Sequence, residues 1–427
     1  MSSRSVAPGV WRNSDFRSLW VGQTVSQLGE QTSLVLLPLI AVLTLHVDAA
    51  QLGVLRAVGQ APQLLLALLV GVGVDRWRTR TVMVWSDVGR ALALGAVAVV
   101  ALLGGLGLWT LLVVVFAVGA LSVFFDVAYQ ASLVRLVERD HLLQGNSAVE
   151  ASRSAAQLGG PALAGMMSSL VAAPLAVASS ALVFVASFLA IARIRRHEPV
   201  PRQPDGPRRI YQGLRFVAGN SVLRTVCLAS AAFQFSFAAL MTAYLLFLPR
   251  DLHLSGAVIG LALAATGPGA LVGALLARNL PRRFGYGSVL VAAATIGNGV
   301  LLCLPALHGN SVSTVCTLIA ANLVFGACGQ LVNVTIMAVR QAVTPDFLQG
   351  RVAATITFAG MGLTPLGALA GGLLAGHLPI RTALLVAAAG MMASPVSMVL
   401  SPLGRLGRTL PAVKYPAVPS TPPASCG

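Results

Sequence analysis

Apolar runs of roughly 20 to 29 residues alternate with short polar breaks along almost the whole chain. A helix needs about 20 residues to cross some 30 Å of hydrocarbon, so each run is long enough to span a membrane. Twelve runs can be counted: residues 18–45, 51–74, 82–103, 108–134, 146–172, 174–194, 220–248, 255–277, 287–306, 311–338, 352–377 and 380–403. Several neighbours are separated by only a few residues, which suits antiparallel helical hairpins. The alternating ten-residue strands of a membrane barrel are nowhere visible. The pattern predicts an all-α integral membrane protein with twelve transmembrane helices.

The polar breaks repeat. Gly71-Val-Gly-Val-Asp75-Arg76-Trp-Arg78-Thr-Arg80, between runs two and three, has an echo about 207 residues later in Arg278-Asn-Leu-Pro-Arg282-Arg283-Phe-Gly285. Val134-Arg135 followed by Leu143-Gln144-Gly145 returns after about 205 residues as Val339-Arg340 followed by Leu348-Gln349-Gly350. Two similar shifts at corresponding loops imply two copies of one helical unit, a common plan of transporters. The chain therefore divides into a tail (1–17), a first six-helix bundle (18–194), a linker (195–219), a second bundle (220–403) and a tail (404–427). The Pro- and Arg-rich linker reads as solvated and the Pro-rich second tail as disordered.

Composition agrees with a membrane protein: of 427 residues 56% are hydrophobic and 10% charged. The net charge of +16 could suggest nucleic acid, but the arginines are scattered between apolar runs, which excludes that partner. With twelve spans, one set of loops collects most arginines, and the other holds little beyond Arg56, Arg250 and Arg381. The positive-inside rule then places both termini in the cytoplasm of a bacterial inner membrane. The first run is too long for the apolar core of a signal peptide and is expected to stay as an anchor.

Enzyme and pump chemistries find no support. The sole lysine, Lys414, follows no Gly-rich loop, so no ATP site is present. Neither His-Glu-x-x-His nor a Cys/His cluster occurs, and the five cysteines have no paired spacing; no cofactor or metal is expected.

Polar residues inside the runs are the remaining candidates, because they are costly there and tend to face a cavity or a partner. Span one carries Gln23, Gln27, Glu30 and Gln31; span four carries Ser122, Asp126, Tyr129 and Gln130. Span seven carries Ser230, Gln234, Phe237 and Met241; span ten carries Asn322, Gly326, Gln330 and Asn333. Steps of three and four put each set on one helix face. Two readings are open: the first helices of four three-helix units line a central path, or the stripes hold helices together.

Glu30 is the one acid near mid-depth in the first half, and the second-half spans contain none. A bare carboxylate there costs about 2.5–3.5 kcal/mol, so it is either paired or carries a proton. That is the group a proton-coupled carrier needs; the alternative is a carboxylate satisfied by Gln27 and Gln31. Asp87, Arg90, Asp126, Glu150 and Arg153 gather nearer the arginine-rich side. With Asp75 and Arg76 they form either a gate network or a structural ion cluster, in which Asp126 and Arg153 could pair.

These residues resemble the major facilitator superfamily. Gly71-x-x-x-Asp75-Arg76-x-x-x-Arg80 resembles its motif A, with Arg78 where glycine is usual. Gly160-Pro161-Ala-Leu-Ala164-Gly165 resembles motif C, the signature associated with proton-exchanging exporters, with Ala164 where glycine is usual. Asp15-Phe-Arg-x-Leu-Trp20, Asp87-x-x-Arg90-Ala91 and Phe125-Asp126-x-Ala-Tyr-Gln130 look like the macrolide-efflux and enterobactin-exporter branch. The resemblance implies two pseudo-symmetric six-helix bundles that rock about a midplane site. By the same resemblance Asp75 caps the start of helix eleven near Arg351 in the outward-open state, and Arg76 and Arg80 join a cytoplasmic gate. Gly160-Pro161 lets helix five pack closely and bend.

The reading is a monomeric secondary transporter that exports a hydrophobic drug-like or metabolite molecule in exchange for protons. Glu30 carries the proton, and Gln23, Gln27, Asp126, Tyr129, Gln234, Phe237, Asn322, Gln330 and Asn333 line the path. Its partners are the small-molecule cargo, protons and the lipid bilayer, and the stripes suit a weakly charged or cationic amphipathic cargo. The alternatives are an exporter or flippase for a dedicated siderophore or lysolipid, an importer, and a non-transporting membrane receptor or assembly factor.

Overall fold

The computed structural model describes residues 10–74, 77–136, 142–194, 208–345 and 348–409. The first half contains α1 (Ser14–Leu43), α2 (Ala49–Val74), α3 (Thr79–Leu102), α4 (Leu108–Leu136), α5 (Leu142–Leu170) and α6 (Ala173–Ala192). A short helix, α7 (Arg208–Gly219), precedes the second half. Span seven is α8 (Ser221–Arg250), and span eight is split into α9 (Gly256–Ala264) and α10 (Thr266–Ala277). After α11 (Leu280–Phe284), span nine is α12 (Tyr286–Val300) continued by a 3-10 turn, Leu301–Ala306. Span ten is α13 (Val312–Val343); span eleven is α14 (Gln349–Gly362) with α15 (Thr364–His377); span twelve is α16 (Ile380–Met391) with α17 (Ala393–Val399). Among the described residues, ten of these spans are long and apolar enough to cross a membrane on length and composition. The other two, α2 and α5, are 26 and 29 residues long.

The split spans follow from proline, which lacks an N–H and crowds the carbonyl four residues back. Breaks fall just before Gly267-Pro268, Thr364-Pro365 and Ala393-Ser394-Pro395, and the 3-10 turn holds Pro305.

Duplication extends to the backbone caps. Asn13 Oδ1 accepts from the amides of Asp15 and Phe16 at 3.0 and 3.3 Å; Asn220 Oδ1 accepts from Val222 and Leu223 at 3.0 and 3.2 Å. Each is an N-cap that satisfies orphan donors of a 30-residue helix. Three residues beyond the end of each helix stands a histidine with positive φ, His46 at 50° and His253 at 53°. The next amides fold back alike, Val47 to the Ala41 carbonyl (3.2 Å) and Leu254 to the Leu248 carbonyl (3.1 Å).

Three expectations are corrected. Residues 208–219, assigned to the solvated linker, form α7, which packs on α8 and α14 with Val217 buried. The start of the expected disordered tail is ordered: the carbonyls of Gly407 and Leu406 accept from Tyr286 and Gly287, each at 3.0 Å, and satisfy the exposed amides that begin α12. Arg56, grouped with loop arginines, lies inside α2. The rest of the linker and the tail beyond residue 409 lie outside the described residues.

Within the first half α1 packs on α5 and α6, α3 on α4 and α6, and α2 on α4; in the second, α8 packs on α14 to α17, and α13 on α10 and α12. The halves meet through α2 against α15 and α5 against α9, equivalent pairs under the repeat. At the end of the bundle away from both termini, here the distal end, one continuous core draws Leu36 to Val42, Leu52 and Leu55 together with Leu240, Tyr244 to Leu248 and Ile259. Toward the terminal end the buried apolar residues separate into one cluster per half, around Phe125 and around Leu290.

Candidate transport path

The distal junction depends on glycine. A Cβ on Gly53 of α2 would lie 2.8 Å from Gly372 Cα of α15, and one on Gly165 of α5 would lie 2.4 Å from Gly260 Cα of α9. The two backbones touch directly at both crossings, as small residues allow in membrane helices. Arg56 adds a polar tie, donating from Nη1 to the Ala238 carbonyl (3.2 Å) and to Thr242 Oγ1 (3.0 Å) on α8. Arg250 at the end of α8 donates to the Val47 carbonyl of the first loop.

The residues of motif C sit at this junction. A Cβ on Gly160 would meet Gln31 Cβ at 2.5 Å, so α5 presses onto α1 one residue from Glu30. Pro161 and Gly165, one turn on, face Gly260 and Gly256 of α9. One short segment therefore joins the neighbourhood of Glu30 to the contact between halves.

Glu30 is half-buried on α1, and its Oε2 is enclosed with no hydrogen-bond partner among the described residues. Neither Gln27 nor Gln31 bonds to it among the described residues. Gln27 Nε2 instead donates to Asp126 Oδ1 of α4 at 3.1 Å. Arg153 of α5 and Arg90 of α3 lie within electrostatic reach of both acids. Asp126 and Arg153 do not close into a direct ion pair among the described residues. Gln23 Oε1 and Tyr129 Oη are also buried without partners among the described residues, and Glu150 is exposed within reach of Tyr129. An isolated buried polar atom is costly, so four helices hold a poorly satisfied acid cluster between them.

Asp87 and Arg90 are different. Both are fully buried and pair directly. Asp87 also accepts from Ser26 (3.3 Å) and Ser187 (2.5 Å), while Arg90 donates to Ser26 (2.8 Å) and Ser122 (3.2 Å). The guanidinium lies 4.6 Å from the Phe125 ring centroid and 4.4 Å from that of Phe184. Every partner belongs to α1, α3, α4 or α6, so this pair binds the first half together. Arg80 acts similarly at the start of α3, donating to the Ala192 carbonyl at the end of α6 (2.5 Å), where a cation complements the helix dipole. Gly71 lies in α2; Asp75 and Arg76 of motif A lie outside the described residues.

The second half holds an open cavity of about 370 Å³ among α8, α12, α13, α14 and α17. Gln234 and Asn333 border it, as do Phe233 and Phe325, which the sequence pattern did not single out. Phe237 stacks behind those two rings at 5.5 and 5.6 Å. Asn322 is committed to structure, donating to Tyr244 Oη (3.0 Å) and the Leu318 carbonyl (2.9 Å). Gln330 is half-buried and does not line the cavity. Arg340, read from sequence as a loop cation, sits in the last turn of α13 and borders the cavity.

Two six-helix halves related by a repeat, sharing one apolar core at the distal end and holding a separate one each toward the terminal end among the described residues, define a carrier of the major facilitator type. A solved structure of a bacterial homologue of the human lysosomal transporter Spinster, inward-facing and unoccupied, has the same fold, with a TM-score of 0.67 at 13% identity over 93% of this chain and 96% of that one. The chain belongs to the transmembrane secretion effector family of these transporters, whose profile it matches over residues 4–417. It is 25% identical over 386 residues to YfiS of Bacillus subtilis, an uncharacterised MFS-type transporter, covering 86% of this chain and 88% of YfiS. It is 28% identical over 369 residues to the multidrug efflux pump Tap of Mycobacterium tuberculosis, covering 81% and 83%. The protein is thus a multi-pass membrane transporter and not an enzyme.

Proposed function

We propose that this transporter works as a proton-coupled exporter of a hydrophobic drug-like or metabolite molecule, as a monomer in a bacterial inner membrane with both termini in the cytoplasm. Glu30 is the proton-carrying group. The observation that supports this reading is its enclosed Oε2, without a partner among the described residues, near the middle of α1 and next to the Gly160 contact of α5. An acid held without partners is not serving to staple helices, and its charge alters a field shared with Asp126, Arg90 and Arg153. Adding or removing a proton changes the attraction among α1, α3, α4 and α5, and α5 carries that change to α9 through Gly165. Similarity to the efflux pump Tap favours export. In this orientation the sealed distal end faces outward, and the cargo path opens to the cytoplasm before loading.

The test uses inverted vesicles with an acid lumen and a pH-reporting dye, challenged with cationic, neutral and siderophore-like compounds. A compound that dissipates the gradient in wild-type vesicles but not in Glu30→Gln vesicles supports proton exchange. Equal dissipation in both removes Glu30 from the coupling.

A further inference from the structure

We infer that the cavity inside the second half is the cargo seat, and that it takes a planar aromatic molecule that is neutral or anionic, with Arg340 receiving the anionic group. This rests on the transport reading and names the cargo class it left open. It reverses the charge preference drawn from the polar stripes.

Charge points this way first. Among the described residues, Arg340 is the only ionisable side chain charged at neutral pH that borders the cavity, and no ion pair holds it. No Asp or Glu occurs in any second-half span, so an organic cation entering here meets a guanidinium and, among the described residues bordering the cavity, no counter-charge. A carboxylate or sulfonate could form a forked pair with that guanidinium.

Shape points to a flat cargo. Phe233, Phe237 and Phe325 are nearly parallel, with interplanar angles of 7° to 16°, and the first and last border the cavity. An added ring extends such a stack at an offset. A volume of about 370 Å³ falls at the small end of ligand pockets, enough for roughly two or three fused rings. Unspent polar groups complete the seat. Among the described residues Gln234 and Asn333 make no hydrogen bond, and Asn298 uses its amide N–H on the Met391 carbonyl (2.9 Å) while its carbonyl oxygen has no partner.

Gly329 supplies the test. It borders the cavity, and a Cβ there would meet nothing within 4 Å, so a larger side chain enters empty space. Full-length protein in nanodiscs is titrated with 9-anthracenecarboxylate, 9-anthracenemethanol and (9-anthracenylmethyl)trimethylammonium, read by fluorescence anisotropy against empty nanodiscs. The carboxylate is expected to bind at least tenfold more tightly than the ammonium. Arg340→Gln should erase the advantage of the carboxylate over the alcohol, and Gly329→Leu should weaken all three at least tenfold. Gly360→Val fills the same space from α14, where the nearest atom to a Cβ is 3.6 Å away, and guards against misfolding of one variant. Preference for the ammonium, or unchanged binding in both filled variants, overturns the inference. The vesicle assay separates the two readings. Proton-linked flux together with binding insensitive to Gly329→Leu removes the cavity and keeps the transport reading. Binding sensitive to Gly329→Leu without flux removes the coupling and keeps the cavity.

Discussion

Replacing Gly165 should open the distal seal. A Cβ at this position would lie 2.4 Å from Gly260 Cα and 2.5 Å from the Gly256 carbonyl oxygen. Carbon atoms in contact settle about 3.5–4.0 Å apart, so α5 and α9 must part by roughly 1 Å or more. All the obstructing atoms are backbone, and no side chain can swing aside to absorb the strain. Overpacking of this kind costs about 1–3 kcal/mol. The distal-open state needs no contact here and escapes the penalty, so the equilibrium should shift about 5- to 150-fold toward it. Gly165→Ala belongs at the lower end of that range and Gly165→Val at the upper. Spin labels on cysteines placed at Ser169 and Ser255, in a protein stripped of its native cysteines, would report the separation by pulsed electron resonance. A growing long-distance population, larger for valine than alanine, is the expected result. Gly159→Ala is the control, because its Cβ would meet only Leu28 Cδ1 at 3.7 Å and should leave the distances unchanged. An unaltered distribution in Gly165→Val would refute the argument that backbone contact holds this end shut.

Three further outcomes can be checked. Arg56→Gln removes charge-assisted bonds to Ala238 and Thr242, worth about 1.5–3 kcal/mol each, and the same spin labels should show a more open distal end. Arg90→Met strands the buried Asp87 carboxylate and should cost about 3–5 kcal/mol, seen as a large fall in melting temperature; the double variant Asp87→Leu/Arg90→Met should recover part of it. Glu30→Gln breaks no hydrogen bond, so its melting temperature should stay within a few degrees of wild type while proton-linked flux disappears; a large loss of stability would point to a structural role.

Much of the candidate site was visible in the sequence as residue types, less so as roles. Gln27 and Asp126 were placed on separate polar stripes, and the 3.1 Å bond between them requires α1 and α4 to face each other across 99 residues of chain. Asp87 and Arg90 were grouped with gate residues because composition cannot distinguish an ion pair inside one half from one between halves. Their serine and phenylalanine partners, from three other helices, make that distinction. The equivalent caps at Asn13 and Asn220, and at His46 and His253, carried a sequence signal at the same offset as the loop repeat. A single cap residue stands out less along a chain than a charged loop does.

The sequence by itself determined the membrane-spanning helices and their division into two related halves. These follow from local quantities: run length against bilayer thickness, proline and glycine positions, and the spacing of arginines. Only the tertiary structure decided which polar groups are consumed by neighbours and which are left for protons or cargo. Asn322 and Gln234 look alike along their helices, yet Asn322 meets Tyr244 while Gln234 borders a cavity. That difference arises because hydrogen-bond satisfaction and enclosed volume are set by side chains brought together from distant helices, and no periodicity within one helix encodes them.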